Sequence, residues 1–167
     1  MPTEIIEAEA VAVKHRNATG LTDLLPDSLR YFRHIEQIVD SIVNSFGFRQ
    51  IILPQLDPAS AYTEALGEAF LDRTIETNLK DNKEKYVMRA HPRIGVLRSF
   101  LENNLYSWPP PVRLTYKPET VTKVNGVLQH QRYICLDCLG GKDGITSASM
   151  LLILRKLEEA LRTKKSK

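Results

Sequence analysis

Apolar residues recur at Leu29, Phe32, Ile35, Val39, Ile42, Val43 and Phe46, the three-and-four spacing of one helical face. The pattern predicts a helix over residues 27–46, capped by Asp27 or Ser28 and stopped by Gly47, with the whole stripe buried. Residues 48–53 are rich in isoleucine and end at Pro54, as a buried strand would. A short helix is expected over 59–66, then a polar connection over 72–85, then a strand over 86–89. Pro92 opens a second helix over 93–105, with Ile94, Leu97, Phe100 and Leu101 at helical spacing. Trp108 and the three prolines after it form a rigid, extended connector into a strand at 112–116 and a hairpin. Residues 133–139 are mostly apolar, end at Gly140-Gly141 and read as a further buried strand. A last helix over 147–162 carries Met150, Leu151, Leu154, Leu157 and Leu161 on one face.

Composition narrows the class. The chain has 167 residues, 43% hydrophobic and 26% charged, which suits one globular domain around one core. No apolar run approaches the roughly 20 residues that cross a bilayer, and the first residues lack the order of a secretory or transit signal, so a cytoplasmic, unanchored protein is expected. The net charge of +3 is small and comes partly from the basic tail at 163–167, so nucleic acid is not an expected partner. Residues 1–19 read as a lead segment and 20–162 as the domain; internal repeats and low-complexity segments are absent.

Candidate chemistry from single residues is sparse. Cys135 and Cys138 form one C-x-x-C, too few ligands for zinc. On a strand, residues three apart point to opposite faces, so the two sulfurs diverge and serve as small hydrophobes. His15, His34 and His130 have no partner spacing for a triad or a metal, and no G-x-S-x-G nucleophile is present. Neither a metal nor a cofactor is expected.

Longer strings carry more information. Gly20-Leu-Thr-Asp-Leu-Leu-Pro26, Ala65-Leu-Gly-Glu68, Tyr86-Val-Met-Arg89 and the stretch from Gly126 to Gly140 follow one another in an order that resembles the N-terminal half of the class II histidyl-tRNA synthetase catalytic domain. That family includes a paralogue, the regulatory subunit of ATP phosphoribosyltransferase in histidine biosynthesis. The resemblance implies an α/β (α+β) fold with a class II synthetase-like antiparallel sheet flanked by helices, and it ends before the family's third class motif. It also implies a homodimer through the first helix and strand, with Phe32, Ile35, Val39, Phe46, Phe48 and Pro54 in the interface.

The positions to which the family assigns substrate and nucleotide contacts hold different residue types here. His91 and Arg93 match a glutamate and a threonine that recognise the substrate amino group. A guanidinium beside an ammonium group is repulsive. Thr122 matches the arginine of the second class motif, Val124 its glutamate, and Val127 and Gln129 two further arginines. Gln131 matches the phenylalanine that stacks on adenine, and Tyr133 a substrate-binding glutamine; Asp137 alone keeps the charge of the family's late glutamate. No shift of the alignment restores a phosphate clamp, because Lys117 and Lys123 are the only lysines or arginines between Arg113 and Arg132. The reading is an inactive, regulatory or protein-binding paralogue, with Arg89, His91, Arg93, Gln129, Gln131, Tyr133 and Asp137 lining a degenerate cleft. Two alternatives are a histidine-activating fragment that works with a second chain, and a regulatory subunit of ATP phosphoribosyltransferase.

Overall fold

The computed structural model describes residues 16–79 and 83–162. The lead residues 1–15 with His15, residues 80–82 of the polar connection, and the basic tail at 163–167 lie outside them.

The first helix, α1, spans Pro26–Ser45 and begins with its proline, whose fixed φ suits a first turn. Neither Asp27 nor Ser28 caps it: Leu25 holds the extended position before the helix and no side chain closes the turn. Only the C-terminal half of the predicted stripe is buried, where α1 packs on the last helix, α4 (Asp143–Arg162). Val39, Val43, Phe48 and Ile153 form that core, with Ile42, Phe46, Met150 and Leu157 partly buried against it, while Phe32 and Ile35 are exposed. On α4 the buried face runs through Met150, Ile153 and Leu157, so the predicted face is rotated and Leu151, Leu154 and Leu161 face outward.

Residues 48–53 shrink to a two-residue strand, β1 (Arg49–Gln50); Phe48 and Leu53 are buried beside it as expected, whereas Ile52 is 89% exposed. β1 runs parallel to β5 (Val112–Tyr116), a departure from an all-antiparallel sheet, and β8 (Cys135–Leu139) pairs antiparallel on the other side of β5. In that register Leu114 faces Asp137 and Tyr116 faces Cys135. Cys135 packs with the cluster of Leu114 and Tyr116, and Cys138 with the α1–α4 core, so the two free thiols do point to opposite faces. Burial raises the pKa of both.

A second sheet orders β2 (Leu56–Pro58), β4 (Lys85–Met88) and β3 (Glu76–Asn78). Strand β3 lies inside the predicted polar connection; its Glu-Thr-Asn sequence has no apolar alternation, and pairing with β4 defines it. Helix α2 (Ala59–Leu66) and a 3-10 turn at Glu68–Arg73 cover this sheet around Tyr62, Val87, Ala90 and Ile94. Helix α3 is shorter than predicted, Ile94–Glu102, and buries Ile94, Gly95, Val96 and Ser99, leaving the expected core residues Leu97 and Leu101 exposed.

Strands β6 (Glu119–Val124) and β7 (Val127–Arg132) form a separate hairpin, turned by Asn125 and Gly126 with φ of 50° and 80°. Two successive positive φ values are the signature of the tight turn that matches strand twist. The segment before α1 lies against this hairpin: the Leu128 N–H donates to the Thr19 carbonyl at 3.4 Å. Gly20 has φ +94°, and a Cβ there would sit 1.9 Å from the Leu128 carbonyl oxygen, so the opening glycine is a steric requirement of that contact.

The orientation of α4 is testable. Ile153→Ala, at a site 1% exposed, is expected to cost about 2–5 kcal/mol in urea unfolding. Leu151→Ala, 67% exposed, is expected to change stability by no more than about 0.5 kcal/mol. The reverse ranking would place the wrong face of α4 in the core.

Candidate functional site

Asp137 sits in the middle of β8, buried, on the face that looks toward the start of α3. Two groups compensate it. The Tyr116 hydroxyl donates to Oδ2 at 2.6 Å, and Arg93, just before α3, places Nη2 3.0 Å from Oδ1. Burial and the adjacent carboxylate hold the Tyr116 phenol far above its ordinary pKa, so it remains a donor. The carboxylate that the sequence reading singled out is therefore engaged on both oxygens by groups of the same chain. Tyr116 was not foreseen, and no local signal marks it, because its partner lies 21 residues away.

Arg89 does not join that pair. It is 2% exposed and places Nε 3.6 Å from Oδ2 of Asp57, whose Oδ1 lies 3.6 Å from Nε of Arg98. Tyr62 completes the cluster, donating to Asp57 at 3.3 Å and accepting the Ala90 N–H at 3.1 Å; burial first, then Asp57, pushes its pKa up to about 12. Arg89 thus belongs to a structural ion cluster beneath the second sheet. Its guanidinium faces Asp57 because a buried charge requires a counter-charge. His91 is partly buried, edge-on to Phe70, and its Nδ1 accepts the Arg93 N–H at 3.3 Å. That bond requires a lone pair on Nδ1 and therefore a neutral ring.

The hairpin residues also stay apart from the Arg93–Asp137 pair. Gln129 lies directly across from Thr122 and Gln131 across from Thr120, which places these four side chains on one face. Thr120 and Thr122 are buried, whereas Gln129 and Gln131 are exposed. Tyr133 donates to Gln131 and lines a groove with Leu29, Phe32 and Ile35 of α1, so it too is separate from Asp137. The one arginine of the hairpin, Arg132, is on the opposite face, with Nε 2.9 Å from Glu119. Lys117 is held by α1, with Nζ 2.7 Å from Asp40.

What does surround Asp137 is a groove of 440 Å³ lined by Arg93, Cys135, Leu136, Asp137, Cys138, Thr146 and Met150. Among the described residues no cluster of histidine, cysteine and carboxylate side chains is arranged to hold a metal, and no helix is long and apolar enough to cross a membrane.

Of the predicted interface residues, Val39 and Phe48 are buried in the chain's own core and have no area left to present; Phe46 is partly buried, and Phe32, Ile35 and Pro54 face outward or line the surface.

This architecture has the class II aminoacyl-tRNA synthetase fold. The crystal structure of apo histidyl-tRNA synthetase from S. aureus superposes with a TM-score of 0.72 at 15% identity, over 87% of this chain and 34% of that one. An ATP phosphoribosyltransferase regulatory subunit/histidyl-tRNA synthetase from Bacillus halodurans superposes with a TM-score of 0.68 at 18% identity, over 87% and 38%. Within the class, the likeness in sequence is to histidyl-tRNA synthetase: the histidine–tRNA ligase of Acetivibrio thermocellus is 26% identical over 99 residues, 58% of this chain. The aligned part is 24% of that ligase's length. No family model matches the chain.

A pH dependence follows from His91. Burial first, and then the Arg93 charge, lowers its pKa from the ordinary value of 6.5, so the unfolded chain binds the proton more readily. The contribution is present above about pH 6.5 and is lost as pH falls through the depressed folded value. Urea midpoints are expected to decline between about pH 7 and pH 5 in the wild type and to decline less in His91→Gln. Parallel curves for the two proteins would remove His91 from this role.

Proposed function

We propose that this domain is a catalytically inactive relative of histidyl-tRNA synthetase that acts by protein association, as a homodimer. The single observation that carries the first part is the pair between Arg93 and Asp137 at 3.0 Å. The only cleft position that keeps a family-like charge is already neutralised by an internal guanidinium. A ligand ammonium or imidazolium has to displace that group to reach the carboxylate. The hairpin supports the same reading from the nucleotide side. Its Gln129 and Gln131 face carries no cation, and preorganised charge is what phosphoryl chemistry requires; losing one such partner typically costs about 10²–10³ in rate.

Association is supported by exposed apolar surface. Tyr31, Phe32 and Ile35 on α1 and Ile52 after β1 are all exposed, and the α1 residues Leu29, Phe32 and Ile35 wall a 210 Å³ groove with Tyr133 and Ile134. A surface of this kind on a folded domain marks an association site. A second copy presents the same patch, which suits a two-fold pairing.

Two measurements test these halves separately. Exchange of labelled pyrophosphate into ATP with histidine and magnesium is expected to stay at background; turnover above it would restore an enzyme. Sedimentation at micromolar concentration is expected to give a species of twice the 19.0 kDa chain mass, and Phe32→Glu to shift it toward monomer. A wild-type monomer would defeat the dimer while leaving the inactive reading intact.

A further inference from the structure

β1 and β5 run side by side only briefly. Beyond the register pair of Gln50 and Thr115, the Ile51 N–H donates to the Thr115 carbonyl at 3.0 Å. Each segment then reaches a proline, Pro54 or Pro118, that has no N–H to continue a ladder. A cavity of 130 Å³ lies where the two segments part. Arg89, just after β4, forms part of its wall and is anchored there by its own N–H, which donates to the Gln55 carbonyl at 2.9 Å. Every wall residue falls within 50–118, on the β1 side of β5 and away from β8, so neither end of the chain enters the site.

The charged part of the wall has one sign. Arg89 and Lys117 contribute two cations and Gln50 and Gln55 two amides, while among the described residues no carboxylate lines the space. Tyr116 adds a ring whose hydroxyl is already given to Asp137. Lys117 is answered from α1, by Asp40 at 2.7 Å and Glu36 at 4.0 Å. Arg89 is less well served. It is 2% exposed, its Nε lies 3.6 Å from Asp57, and among the described residues neither Nε nor Nη2 has a hydrogen-bond partner. Asp57 is shared with Arg98, so one buried carboxylate answers two guanidinium groups; Glu102, the second acid on Arg98, is exposed. Unused N–H donors on a buried cation are costly until an acceptor reaches them.

The remaining walls, Ile51, Ile52, Leu53 and Pro118, are apolar. A dry cavity of about 150 Å³ holds benzene, so this one has room for about six heavy atoms.

We propose that this cavity binds a small organic carboxylate, with its charged end on Arg89 and a body of about four carbons against Ile51, Leu53 and Pro118. The guanidinium keeps Asp57 as its internal partner and meets the ligand through charge-assisted hydrogen bonds from donors that are otherwise unused. Charge selects the anion and the apolar walls select its body, the usual division in a small-molecule site. The site is separate from the Asp137 groove and from the α1 surface. It rests neither on the loss of catalysis nor on dimerisation.

The probe is sodium butyrate, titrated near neutral pH and at constant ionic strength into uniformly ¹⁵N-labelled protein, with butyramide and butylammonium chloride as isosteres. Butyrate is expected to give saturable shifts at the amides of residues 50–53, Gln55 and Arg89, with a dissociation constant on the order of 1 mM. Butyramide, which has the shape without the charge, is expected to bind about tenfold more weakly, and butylammonium to leave these amides unmoved. Inorganic phosphate has the charge without the apolar body and is expected to bind more weakly than butyrate. Arg89→Met is expected to abolish the butyrate shifts; the isosteres leave the protein unchanged, so poor folding of that variant does not remove the test. Equal binding of butyrate and butyramide, tighter binding of phosphate than of butyrate, or no saturable shift at residues 50–53, Gln55 and Arg89 would each overturn the proposal.

Discussion

A carboxylate in the middle of a buried strand has to be compensated, and the arrangement around Asp137 follows from that need. Its oxygens take a phenol from the neighbouring strand and a guanidinium from the start of α3. Three elements distant in sequence are thereby held in one geometry, because truncating either partner leaves a buried group unpaired, at a typical cost of about 1–3 kcal/mol. The same constraint sets the character of the groove. With both Asp137 oxygens engaged, a visitor reaches the carboxylate only by displacing Tyr116 or Arg93.

The second buried ion cluster, Asp57 with Arg89, Arg98 and Tyr62, does comparable work on the other sheet. It joins β2, the end of β4 and α3, and from the same corner the Arg89 carbonyl accepts the Val121 N–H at 2.8 Å, tying the β6–β7 hairpin to the body. Ion pairs of this kind contribute little net stability over apolar packing, but removing one partner is costly, so they hold geometry firmly. Both clusters consist of groups that in another context would face a ligand. Here they face each other.

Comparing residue pattern with fold shows where periodicity was sufficient. α1 was legible because apolar residues recur at helical spacing up to Gly47, although Pro26 rather than a cap at Asp27 or Ser28 begins it. The faces of α3 and α4 were misread for one reason: Leu97, Leu101, Leu151 and Leu154 are apolar but are exposed, away from the clusters those helices pack into. Hydrophobicity marks a stripe as suitable for burial, and a neighbouring element decides whether it is buried. Strand β3 was invisible for the converse reason, since its polar residues acquire their conformation from β4 alone.

The candidate site divides in the same way. From the sequence alone came the absence of arginine between Arg113 and Arg132 and the divergence of the two thiols, and from the family resemblance came the fold class. Which charges meet was decided by tertiary structure: Arg93 with Asp137 across 44 positions, and Arg89 drawn to Asp57 rather than into the cleft, with Gln129, Gln131 and Tyr133 left apart. Local patterns encode what a segment is able to form. Burial, which depends on distant segments arriving together, assigns each charged side chain its partner.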